Sequence, residues 1–151
     1  MASRRKRSKT RSGASHELRD EQRLASITFF LDYQIGRFVV AEALRSAGAA
    51  VEVHIDHFPP AAPDTDWIPE VGRRNWVLIT KDQNIRRNPL ERAAYEAAGL
   101  RGFVVTAGEL TGPELAALLV QCLPGMVRRV HGRTGPALFA ISRAGVFAKL
   151  L

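Results

Sequence analysis

The chain has only one cysteine, Cys122, among 151 residues. An intramolecular disulfide therefore cannot form, and four histidines without cysteine partners offer no zinc-finger spacing. No apolar stretch approaches the roughly 18 residues that span a bilayer. The basic start is not followed by the apolar core of a signal peptide. These absences predict a cytoplasmic protein that does not enter a membrane.

Several common motifs are also missing. We find no internal repeat, no glycine-rich phosphate loop and no Gly-x-Ser-x-Gly nucleophile turn. Dinucleotide binding, P-loop hydrolysis and serine hydrolase chemistry therefore lose their usual sequence support.

No acidic residue precedes Glu17. The chain carries a net charge of +7, with 22 basic and 15 acidic residues. After the basic run near the start, the remainder is almost balanced. We predict that residues 1–16 form a disordered basic tail, because their low apolar content cannot offset the entropy of ordering. Such a tail either raises affinity for a polyanion or only improves solubility. The six early cations are Arg4, Arg5, Lys6, Arg7, Lys9 and Arg11.

The rest of the chain alternates between strand and helix patterns, which predicts one α/β domain over residues 17–151. This alternation indicates a mostly parallel sheet of four or more strands, with helices on both faces. A terminal hairpin over 137–141 and 146–150 is more weakly signalled. The predicted strands cover 27–31, 51–55, 76–80 and 101–106, and the main helices cover 35–47, 66–73, 88–98 and a long segment from 111.

Two of the predicted strands are followed by aspartates. Asp32 comes directly after the first strand, and Asp82 lies two residues beyond the third. The carboxyl ends of parallel strands share the edge of the sheet where ligands bind. Asp66, in the short helix before the third strand, is predicted to supply a third carboxylate, and Asp64 competes for that role. Such oxygen ligands favour Mg2+ or Mn2+.

Other polar residues near these acids are candidates for outer roles. Glu42 is either an outer metal ligand or the ion-pair partner of Arg45 or Arg37. The Thr80 hydroxyl either helps a metal-bound water or only ends its strand, and Asn84 is a candidate polar helper. Strand-end histidines usually satisfy local hydrogen bonds, and we interpret His54 in this way.

Basic residues flank the acids in sequence, and they are predicted to neutralise RNA phosphates beside the carboxylates. Lys81, which adjoins Asp82, is the leading candidate. The full predicted set is Arg73, Arg74, Lys81, Arg86 and Arg87.

Four blocks of sequence, residues 29–32, 40–48, 66–74 and 78–86, resemble the PIN-like domain of VapC-type toxins and of minimal Mut7-C-like relatives. The similarity covers residues 27–106. It implies a three-layer α/β/α fold and a Mg2+- or Mn2+-dependent endoribonuclease. It also implies a toxin with a cognate antitoxin, and a homodimer is a further expectation. Larger PIN nucleases carry another acidic residue on a later helix, and here the resemblance offers only Asp66.

The leading hypothesis is therefore a ribonuclease that uses Asp32, Asp66 and Asp82 to position metal and water for in-line attack on a phosphodiester. The alternative is a catalytically weak module that binds RNA or a protein. A phosphoacceptor receiver domain is disfavoured, because Leu31 and Tyr33 do not provide the acidic pair that such domains need.

Overall fold

The computed structural model describes residues 17–151. The predicted basic tail, residues 1–16, lies outside the described residues. The first helix described, α1, covers residues 17–25. The strands are β1 (Thr28–Leu31), β2 (Ala50–Val53), β3 (Val77–Thr80), β4 (Arg101–Val105), β5 (Ala137–Ile141) and β6 (Phe147–Lys149). The other helices are α2 (Val39–Ser46), α3 (Asp64–Arg73), α4 (Asn84–Arg87), α5 (Pro89–Ala97) and α6 (Gly112–Val130).

One six-stranded sheet, in the order β2-β1-β3-β4-β5-β6, forms the centre of the fold. The first five strands in this order are parallel, and only β6 pairs antiparallel with its neighbour. The C-terminal hairpin is part of the same sheet, since β5 pairs with β4 and places Phe139 opposite Phe103. The predicted α/β class with a mostly parallel sheet is confirmed.

Helices cover both faces of the sheet, as the continuous apolar strands require. Phe29 and Phe30 are consecutive in β1 and both fully buried, and they belong to different apolar clusters. The Phe29 cluster takes its helical residues from α2 and α6, whereas the Phe30 cluster takes them from α3, α4 and α5. The three-layer α/β/α arrangement is thus confirmed.

One helix begins later than predicted, and one short helix was not predicted. The predicted helix 35–47 begins only at Val39, because a 3-10 turn at Tyr33–Ile35 ends at Gly36, whose φ is +93°. Before α5, the short helix α4 forms a separate turn. Asn88 then begins α5 as its N-cap, accepting bonds from the amides of Leu90 and Glu91.

The strand order creates a cleft at the carboxyl edge of the sheet. The chain runs from β1 outward to β2 and then returns to place β3 on the other side of β1. Ligands of open α/β sheets bind where the strand order reverses in this way. Asp32 and Asp82 follow the two strands that flank this point. Within residues 17–151, no helix combines the length and the apolar content needed to cross a membrane.

Candidate metal centre

Asp32 is held rigidly at the end of β1. It is only 7% exposed. Its Oδ1 accepts a bond of 2.6 Å from the Tyr33 amide, and its Oδ2 accepts one of 2.7 Å from the Thr80 hydroxyl. Burial raises the pKa of Asp32 above its ordinary value, and the two hydrogen bonds oppose that rise. Burial therefore makes the charged form of this carboxylate costly. The two hydrogen bonds fix its orientation.

The buried hydroxyl of Thr80 connects the two strand-end aspartates. Oγ1 donates to Asp32 and accepts a 3.0 Å bond from the amide of Asp82. The Oδ1 atom of Asp82 in turn accepts a 2.9 Å bond from the amide of Asn84, at the start of α4. The contribution of Asn84 to this network is thus its backbone, and its side chain is exposed.

Two helices deliver further carboxylates to Asp82. Asp64 is the first residue of α3, and Glu91 lies in the first turn of α5. One carboxylate oxygen from each of Asp64, Asp82 and Glu91 lies within 4.8 Å of the others. Both helices begin at the carboxyl edge of the sheet, where their dipoles favour negative charge. The three groups line a cleft of about 350 Å³.

Asp64, and not Asp66, occupies the place beside Asp82. The Oδ1 atom of Asp64 accepts a 2.9 Å bond from the indole of Trp67, which is buried. Residues two apart on a helix point in different directions. Asp66 is accordingly exposed and lies outside the group of acids. The structure therefore places Asp64 in the position that the sequence assigned to Asp66.

Electrostatic coupling joins Asp32 to these three acids. Burial raises the pKa of Glu91 to about 7, together with the charges of Asp64 and Asp82, a hydrogen bond with Asp64 and the charge of Asp32. Burial and the charge of Asp32 also raise the pKa of Asp64. When both Asp64 and Glu91 are ionised, the buried Oε2 atom of Glu91 has no hydrogen-bond donor among residues 17–151. Four repelling carboxylates and an unpaired buried oxygen fit a hard divalent cation, which prefers oxygen ligands.

The predicted phosphate-binding residues fall into two groups. Lys81 is half-buried next to Asp82, and Arg86 and Arg87 lie on α4 at the same edge of the sheet. Arg73 and Arg74 are at the opposite end of α3, about 15 Å along a ten-residue helix that runs toward the amino edge.

Arg73 and Arg74 both pair with Glu70, and the guanidinium of Arg74 also lies 4.9 Å from the centre of the Trp76 ring. The expectation that they border the acids is overturned by the direction of the helix.

Glu42 is exposed on α2 and lies outside the group of acids. Neither proposed ion-pair partner is bound to it. Arg37 pairs with Asp56 at 3.6 Å, and Arg45 donates to the carbonyl of Val51 at 2.8 Å.

Comparison with known proteins identifies the fold family. A model described as a PIN like domain matches residues 27–107, more than half of the chain. The chain belongs to the PIN-like domain family. It is also 28% identical over 116 residues to "Putative ribonuclease VapC45" of Mycobacterium tuberculosis (strain H37Rv), covering 74% of this chain and 83% of the relative. No solved structure gives a significant match.

The family match contains all four coupled acids and confirms the resemblance read from the sequence. Glu91 is the residue that sequence reasoning missed. It follows the Asn88-Pro89 helix start that was recognised. Its position in the first turn of a helix that starts at the carboxyl edge was an available signal.

Proposed function

We propose that the protein is a Mg2+- or Mn2+-dependent endoribonuclease, a hydrolase acting on phosphodiester bonds. The observation that carries the proposal is the convergence of Asp64, Asp82 and Glu91, coupled to Asp32, where the strand order reverses. The name of the mycobacterial relative, a ribonuclease, supports the same reaction class. In this proposal Glu91 supplies the acid that larger PIN nucleases carry on a later helix.

Each residue has a defined part in this mechanism. Asp64, Asp82 and Glu91 are the ligand set, and Asp32 is a fourth carboxylate whose orientation Thr80 fixes. A bound divalent cation would lower the pKa of an attacking water and stabilise charge on the phosphate. Lys81, Arg86 and Arg87 offset the repulsion between these acids and the RNA backbone. All three of these residues lie at the carboxyl edge of the sheet.

The direct test is cleavage of end-labelled single-stranded RNA in the presence of Mn2+. Asp32→Asn and Asp82→Asn should each reduce cleavage at least 100-fold, since each removes a charge that the ligand set requires, and chelation by EDTA should abolish it. Glu96→Gln is the matched control, because Glu96 is exposed and pairs with Arg92 outside the group of acids. Undiminished cleavage by Asp82→Asn, with thermal unfolding unchanged, would remove the mechanism.

We further propose that the enzyme is the toxin of a toxin-antitoxin pair, with RNA as substrate and an antitoxin that covers the acid cleft. The similarity to a VapC-named relative supports this role. Overproduction of the wild type should then arrest growth, and overproduction of Asp82→Asn should not. Growth arrest by both proteins would show that the toxicity does not depend on RNA cleavage. A failure to bind Mn2+ at millimolar concentration would favour the alternative, a catalytically weak binding module.

A further inference from the structure

A second pocket lies beside Asp32 and shares no lining residue with the acid cleft. It has a volume of about 340 Å³, within the range of roughly 300–1,000 Å³ typical of small-molecule sites. Tyr33, Gly36, Arg37 and His54 line it together with Asp32. A Cβ atom added at Gly36 would meet no atom within 4 Å, so the backbone leaves open space there.

His54 gives this pocket an unexplained polar group. The side chain is only 2% exposed, and no partner for its Nδ1 atom exists among residues 17–151. Buried polar atoms are nearly always hydrogen-bonded, so this unpaired nitrogen behind the pocket wall is an exception. Its neighbour His57 differs, because its Nε2 atom lies 2.7 Å from Glu52. The expectation that His54 satisfies a local hydrogen bond is therefore not met at Nδ1.

The rim of the pocket offers an aromatic face and a cation. Tyr33 is 51% exposed, and its ring centroid lies 5.7 Å from that of His54 in an edge-on arrangement. Arg37 is exposed, with its Nη2 atom 3.6 Å from Asp56. An exposed aromatic ring can stack on an unpaired base, and an arginine can contact its phosphate.

We propose that this pocket binds the base of the unpaired nucleotide next to the scissile phosphate. This inference rests on the proposed ribonuclease function, because Asp32 lines this pocket and its charge acts on Asp64 and Glu91 in the acid cleft. Tyr33 stacks on the base, and the buried His54 ring packs edge-on against Tyr33 behind the pocket wall. The pocket therefore selects single-stranded RNA, and differences in stacking strength between bases give a modest base preference at the cut.

The test is cleavage of an RNA pool randomised around the cut, with products identified by sequencing. Tyr33→Leu should raise KM about ten-fold, the scale of one lost base-stacking contact, and flatten the base preference at one adjoining position. Tyr33→Phe keeps the ring and should restore the preference. Phe38→Leu is the control. Phe38 is an exposed aromatic residue in the same segment between β1 and α2, but it does not line the pocket. Equal effects of Tyr33→Leu and Phe38→Leu would overturn the proposal.

A binding measurement separates this proposal from the proposed reaction. Fluorescence anisotropy with single-stranded RNA oligonucleotides can be run on Asp82→Asn protein, in which cleavage is expected to stop. Adding Tyr33→Leu should weaken binding about ten-fold, whereas adding Phe38→Leu should not. If the wild type cleaves RNA but Tyr33→Leu changes neither binding nor base preference, the pocket proposal alone fails. If no cleavage occurs yet binding depends on Tyr33, the ribonuclease proposal alone fails.

Discussion

At the scale of single residues, Thr80 has the largest effect on how the site is organised. Its hydroxyl is buried, donates to Asp32 and accepts from the amide of Asp82. Because the amide occupies the acceptor side, the hydroxyl proton is directed at the carboxylate. One side chain thus fixes the relative position of two aspartates that are 50 residues apart in sequence.

Thr80→Val should uncouple these two aspartates while preserving the shape of the core. We expect a loss of about 1–3 kcal/mol in unfolding free energy, because a buried carboxylate oxygen loses its donor. Affinity for Mn2+ should fall about 10- to 100-fold, as for other residues that orient metal ligands. Calorimetry and denaturant unfolding measure the two effects. Thr80→Ser keeps the hydroxyl and should recover both, and unchanged Mn2+ affinity in Thr80→Val would contradict this role.

At the scale of elements, the direction and phase of each helix decide which residues reach the site. The strands and most helices could be predicted from apolar patterns, and Asp32 and Asp82 could be placed because strand ends share one edge. The phase of α3 could not be predicted, since the choice between Asp64 and Asp66 depends on where the helix begins. The role of Glu91 required knowing that α3 and α5 start side by side. Arg73 was misplaced because sequence proximity to an acid ignores the length of the helix between them.

The phase of α3 gives a paired prediction for two aspartates of the same helix. Asp64→Asn should reduce RNA cleavage at least 100-fold, because it removes a carboxylate from the proposed ligand set. Asp66→Asn should leave cleavage within about two-fold of wild type, since surface substitutions away from such features have small effects. The measurement is the initial cleavage rate at saturating Mn2+. The reverse result would restore the assignment to Asp66 and remove Asp64 from the site.

At the scale of the whole molecule, the metal-free protein contains a cluster of acids that resist ionisation. The pKa of Glu91 rises from 4.5 to about 7 on folding, so the folded protein holds more protons than the unfolded chain between these pH values. Unfolding free energy from this group therefore decreases as pH rises through that window. His54 acts in the opposite direction, because burial lowers its pKa below 6.5. A variant of Glu91 is therefore needed to separate its contribution to the unfolding free energy from that of His54.

Glu91→Gln should remove this pH dependence, because glutamine resembles the protonated acid and cannot ionise. In EDTA, the melting temperature of the wild type relative to Glu91→Gln should decline as pH rises from 4.5 to above 7. Added Mn2+ at pH 7.5 should raise the melting temperature of the wild type more than that of the variant, because the cation binds the ionised cluster. Glu96→Gln on the same helix serves as the control. If the difference between wild type and Glu91→Gln is constant with pH, Glu91 does not titrate in this window and the four acids do not form a coupled cation site.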